Sequence, residues 1–184
     1  LIIATDTPDF ISPSTASVVQ HKMGLKNATS MDSNTACAGF PTALTLANSM
    51  MVTDPTYEKV MVIGAYGMSR FLNLDDKKTV TLFADGAGAL ILEPTEQEDE
   101  GFLASDLRTK PEYYKYMGIY GGGAADPAAR NDKQGGNQCL RFVEKFPKEI
   151  NPKVWTDMIR TLAAKAGFST DEIDGAYMTQ ININ

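Results

Sequence analysis

DSNTACAGF, residues Asp32 to Phe40, sets one of the chain's two cysteines in a run of small residues, directly ahead of an apolar-periodic segment. Upstream, ATSMDS reads as a short strand. Downstream, Phe40, Ala43, Leu44, Ala47, Met50 and Met51 recur at the i, i+3, i+4, i+7 spacing of a core-facing helix. Cys37 therefore falls where a strand gives way to a helix. Unpaired N–H groups and the helix dipole at such a start stabilise an anion, so the position predicts a thiol pKa lowered from about 8.5. Ala36, Ala38 and Gly39 leave room for a substrate carbonyl to approach the sulfur. A cysteine that serves only as small apolar filler is the competing reading.

Working outward, LIIAT at the start is a buried-strand candidate, short and apolar, closed by the turn-prone DTPDF. SPSTASVVQHKMG opens on a serine cap with a proline suited to the first turn and stops at Gly24, which predicts a helix. KVMVIGA and TVTLFADGAGALILEP are strand candidates separated by the polar turn NLDDKK. From Thr95 to Lys148 the pattern turns loop-rich, with acidic runs, tyrosines and glycines; a region of that length is usually functional or an insertion. NPKVWTDMIRTLAAKAG then predicts a helix capped by Asn151, burying Trp155, Met158, Ile159, Leu162 and Ala166 and ending at Gly167. DGAYMTQININ predicts a closing strand. Alternating strands and helices indicate an α/β protein with a largely parallel sheet.

The chain has 184 residues, 43% hydrophobic and 22% charged, with a net charge of −6. That balance is ordinary for a globular protein and argues against a nucleic-acid binder, which would carry a basic face. No apolar run approaches the roughly 20 residues that cross a bilayer. Cys37 and Cys139 form neither a disulfide framework nor a metal-binding pair, and free thiols favour the cytoplasm. Basic residues gather locally at Lys77 and Lys78, and again at Arg130, Lys133 and Arg141, either as solvated turns or as a landing site for an anionic ligand.

DSNTACAGF resembles the nucleophile motif of the β-ketoacyl-acyl carrier protein synthase III family, D-x-x-x-A-C-A/S-G-F, at Asp32, Ala36, Cys37, Gly39 and Phe40. FADGAGALIL is similar to the family's F-G-D-G-A-G-A strand, with Ala84 in place of one glycine, and GGGAADPA to its glycine-rich loop. Read instead as a dinucleotide loop, DGAGALI puts Ile91 at the third glycine position and continues as strand, so its glycines point to close backbone packing. The resemblance implies a thiolase-like α/β fold: mixed five-stranded sheets with helices, in two pseudo-symmetric halves. It implies residues 1–95 as the first half, 96–150 as a loop-rich connection and 151–184 as the start of the second. About a quarter of a family member is then expected before Leu1 and a similar share after Asn184.

The resemblance further implies an acyltransferase in which Cys37 takes an acyl group from acyl-coenzyme A or acyl carrier protein, followed by condensation onto malonyl-acyl carrier protein. Its backbone N–H would help hold the thioester oxygen. Met68 and Phe83 stand where the family has acyl-pocket walls, and Lys77, with Lys78, where it has basic residues near the coenzyme A phosphates. Acyl-coenzyme A enters as substrate with no further cofactor, and the implied assembly is a homodimer. One departure stands out: MTQIN matches the family's histidine-bearing segment at Gln180 and Asn182, but Thr179 holds the histidine position. The sole histidine, His21, lies in the first helix. Threonine donates a neutral hydrogen bond but is no base near pH 7. Acyl transfer without decarboxylation, or a non-catalytic paralogue that supports an active partner, is the alternative.

Overall fold

The computed structural model describes residues 1–97, 100–127 and 138–179. Three strands supply the parallel part of the sheet: β1 (Ile2–Ala4), β2 (Met31–Ser33) and β3 (Val60–Gly67). β1 lies between β2 and β3, and β4 (Asp85–Leu92) joins the outer side of β3 in the antiparallel sense. Among the described residues the sheet is thus mixed and four-stranded. LIIAT forms β1 because Ile2 and Ile3, on opposite faces, are both covered.

Between β1 and β2 runs α1 (Thr15–Met23), capped by Ser14, whose hydroxyl accepts from the Ser17 N–H, and closed by Gly24 at φ 68°. The proline of the sequence precedes the cap rather than filling the first turn. His21 is exposed in the last turn. A 3-10 turn at Ala36–Ala38 then leads into α2 (Gly39–Thr53). Ala43 and Ala47 of α2 pack on Ile2, Ala4, Val60 and Val62, with Phe40, Leu44, Met50 and Met51 around them. The periodicity of the sequence therefore marks the face that covers the sheet.

The contact is close because its residues are small. A Cβ at Gly39 would lie 3.2 Å from the Ala4 Cβ, an atom fixed to the backbone. Gly39→Val must push α2 off β1 and is expected to cost roughly 1–3 kcal/mol, read as a lower urea midpoint. Gly88→Ala, where nothing lies within 4 Å of the added carbon, serves as the near-neutral comparison.

Three expectations change here. TVTLFADGAGALILEP is not one strand: α3 (Lys77–Val80) occupies its start, and β4 begins only at Asp85. Asp76 caps α3 by accepting from the Lys78 N–H, and the Thr79 hydroxyl turns back to Asp76; this local bonding overrides the strand preference of Thr and Val. α4 (Ile150–Ala166) starts one residue before Asn151, with Glu149 at the cap position and no side-chain capping bond; of its apolar residues Ala163 is buried, while Trp155, Met158, Ile159, Leu162 and Ala166 are half-buried. Residues 173–179 form no strand and Tyr177 is fully exposed; among the described residues no strand pairs with them. In the loop-rich region a short ribbon of β5 (Met117–Gly118) and β6 (Arg141–Phe142) is tied to the first part of the chain by the Leu140 N–H donating to the Phe71 carbonyl at 2.7 Å.

Candidate active site

The local fold around Cys37 begins with Asp32. Its two carboxylate oxygens accept from the backbone N–H groups of Thr15 and Ala16, each at 2.7 Å, so the motif's aspartate anchors the start of α1 to β2. A charged acceptor suits a helix N-terminus, where the N–H groups lack partners and the dipole is positive. Next, Ala36 adopts φ 46°, a left-handed conformation that a non-glycine residue holds at a cost of about 1–2 kcal/mol. Its N–H donates to Asn34 Oδ1 at 3.2 Å, and the Ala38 N–H donates to the Thr35 carbonyl at 3.1 Å. Thr42 of α2 donates to the Ala38 carbonyl at 2.8 Å and accepts from the Thr35 hydroxyl at 3.0 Å. These bonds hold the sharp turn that presents Cys37 at the head of α2.

Cys37 lines a cavity of about 460 Å³ together with Asp6, Phe40, Tyr66, Phe83 and Thr179. Strand register explains the grouping. Ala4 lies opposite Ser33 in β2 and Gly64 in β3, so two residues further along these parallel strands Asp6 comes level with the Cys37 turn and with Tyr66. The cavity thus lies beyond the carboxyl ends of three parallel strands, the usual place for a ligand in an open α/β sheet.

Of the residues singled out in the sequence, Cys37, Phe83 and Thr179 share this cavity. Met68 does not line it; at 2% exposure it packs in the interior just after β3. Lys77 and Lys78 are exposed on α3, which leads directly into Leu82, Phe83 and Ala84 of the cavity wall. Arg130, Lys133, Gln180 and Asn182 lie outside the described residues.

The charge environment corrects the expected thiol. Burial pushes the Cys37 pKa up, the Asp6 carboxylate pushes it further, and a backbone hydrogen bond at Cys37 opposes both. Cys37 counts as exposed because the cavity opens to solvent, yet the walls withdraw enough water from the sulfur to disfavour its anion. Asp6 itself is raised, chiefly by burial. Tyr66 is raised far beyond the physiological range by burial and by the neighbouring Asp6, Cys37 and Asp85, so its hydroxyl stays protonated. Asp85 is lowered, because the Ser69 hydroxyl and N–H donate to it at 2.5 and 2.8 Å.

Asp6 and Tyr66 are the residues that sequence reasoning missed. DTPDF is turn-like and VIGAYG strand-like, and nothing local in either marks a polar group facing a cysteine. Only the parallel register brings them together.

Residues 31–111 match the family model described as 3-oxoacyl-[acyl-carrier-protein (ACP)] synthase III. β-Ketoacyl-[acyl-carrier-protein] synthase III of Ruegeria sp. (strain TM1040) is 35% identical over 187 residues, covering 100% of this chain and 55% of that protein. The protein of the same name from Rhodobacter capsulatus is 34% identical over 188 residues, with the same coverage of 100% and 55%. Among solved structures, 3-oxoacyl-(acyl carrier protein) synthase III from Pseudomonas aeruginosa PAO1 superposes with a TM-score of 0.76 at 26% identity, over 94% of this chain and 50% of that one. The synthase III from Aquifex aeolicus VF5 gives 0.74 at 27% identity, over 94% and 50%. The chain has the thiolase-like α/β fold of these proteins and spans about half the length of the curated relatives it matches.

Proposed function

We propose that this chain, a relative of the 3-oxoacyl-[acyl-carrier-protein] synthase III enzymes, is an acyltransferase that carries its acyl group as a thioester on Cys37. One observation carries the reading: the left-handed Ala36 turns Cys37 into a cavity at the carboxyl ends of the parallel strands. Phe40, Leu82 and Phe83 give that cavity apolar wall suited to an acyl chain. Incubation with acetyl-coenzyme A followed by intact-mass measurement tests it. A gain of one acetyl group supports the reading, and an unchanged mass overturns it.

What accepts the acyl group divides two readings. Condensation onto malonyl-acyl carrier protein follows the relatives. Thr179 on the cavity wall favours transfer to another acceptor, or a role supporting an active partner, since it offers neither a base nor a cation to the developing enolate. Release of carbon dioxide from malonyl-acyl carrier protein by the loaded protein decides for condensation; intact loading without release decides for the alternative.

Docking of an acidic carrier protein or of the coenzyme A phosphates to a chain of net charge −6 needs a local basic patch. Lys77 and Lys78 meet that need, being exposed at the start of the segment that enters the cavity wall. Changing both to Glu is expected to slow acyl loading several-fold at low salt, with the effect fading as ionic strength shortens the screening length to about 10 Å at 0.1 M. Reaction of Cys37 with a neutral thiol reagent should not change. Equal loading at low salt would make the pair an ordinary solvated turn.

A further inference from the structure

Acyl transfer onto a thiol requires somewhere for the thiol proton to go, and the cavity restricts the choice. Asp6, Cys37 and Tyr66 are its titratable residues among those described; no lysine, arginine or histidine lines it. Tyr66 keeps its proton, and Asp85 on β4 does not line the cavity and accepts from Ser69. Among the lining side chains Asp6 is left as the acceptor.

Its setting is built rather than incidental. The flanking Thr5 N–H donates to the Ser33 carbonyl at 3.0 Å, which ties it to β2. The Thr7 hydroxyl accepts from the Gly67 N–H at 2.8 Å, tying the other side to β3, and the Thr7 N–H donates to the Thr5 hydroxyl at 3.0 Å. Between these clamps Asp6 Oδ1 is buried without a hydrogen-bond partner among the described residues. Unpartnered buried polar atoms are uncommon, and a catalytic role is one account of them.

We propose that Asp6 is a catalytic residue: its carboxylate takes the Cys37 proton as the sulfur attacks the acyl carbonyl and returns it to the departing thiol. The Cys37 Sγ–acyl carbon bond forms, the acyl carbon–sulfur bond to the donor breaks, and the proton passes from Cys37 through Asp6 to the leaving sulfur, so no other reactant is needed. Burial raises the proton affinity of the carboxylate, the direction that favours a proton acceptor.

This inference rests on the acyl-thioester reading, and two readouts separate them. In the full chain, alkylation of Cys37 by iodoacetamide reports the thiol alone, while acetyl loading from acetyl-coenzyme A reports the transfer. Asp6→Asn removes a negative charge beside the thiol, so alkylation at pH 7 is expected to rise several-fold. Loading is expected to fall by roughly 100-fold or more, the scale of a lost general base, and its pH profile to lose the limb set by the carboxylate. Opposite movements of the two rates support the proposal. If loading rises with alkylation, or neither changes, Asp6 is only a neighbouring charge and the proposal fails. If both fall, Asp6→Glu, which restores a carboxylate, must recover loading, and its failure to do so also overturns the proposal. A wild-type chain that is alkylated at Cys37 but never acylated refutes the acyltransferase reading instead.

Discussion

Cys37→Ala is expected to abolish acyl loading, lowering its rate by roughly 10⁴-fold or more, the scale seen when a nucleophile is removed. The side chain is exposed to the cavity, so its loss leaves the packing of Ala43 and Ala47 on the sheet intact and the unfolding midpoint nearly unchanged. Cys139→Ala provides the internal comparison. That cysteine is half-buried beside Leu140 and does not line the cavity, so loading should be as in the wild type. Intact mass of both variants after incubation with acetyl-coenzyme A checks the prediction. An acetyl adduct that survives in Cys37→Ala would move the nucleophile elsewhere.

Asp32→Ala is expected to lose about 2–4 kcal/mol of stability, because two backbone N–H groups at the start of α1 lose a charged acceptor held at 2.7 Å. Asp32→Asn keeps an acceptor oxygen but not the charge, and should lose about half as much. Ser14→Ala, which frees only the Ser17 N–H, belongs nearer about 1 kcal/mol. Urea denaturation of the three variants orders them. If Asp32→Ala matches Ser14→Ala, the carboxylate is not the anchor of α1. The outcome also separates the two conspicuous residues of DSNTACAGF: Asp32 builds the junction, and Cys37 uses it.

Much of this was legible in short stretches. The apolar spacing after Cys37 picked out α2 and the face it buries, since helical period is a local property. Gly24 and Gly167 marked the ends of α1 and α4, both at positive φ. Legibility failed where two local codes competed. Thr79 and Val80 favour a strand by type, but the cap from Asp76 makes them helical. It failed again at residues 173–179, whose strand pattern pairs with no strand among the described residues. Met68 shows a third limit, as a methionine near the cavity in sequence faces the interior in space.

What the sequence marked by itself was therefore Cys37 at a strand-to-helix junction, the helix behind it and the threonine at position 179, all of which depend on neighbours within a few residues. The tertiary structure decided which groups share a cavity with Cys37. Asp6 and Tyr66 reach it through the register of β1 with β2 and β3, and Thr179 through the path of a chain segment far from Cys37 in sequence. It also reversed the expected direction of the thiol's pKa. A helix start alone favours the thiolate, but desolvation and a nearby carboxylate outweigh it, and both are sums over residues that only folding assembles.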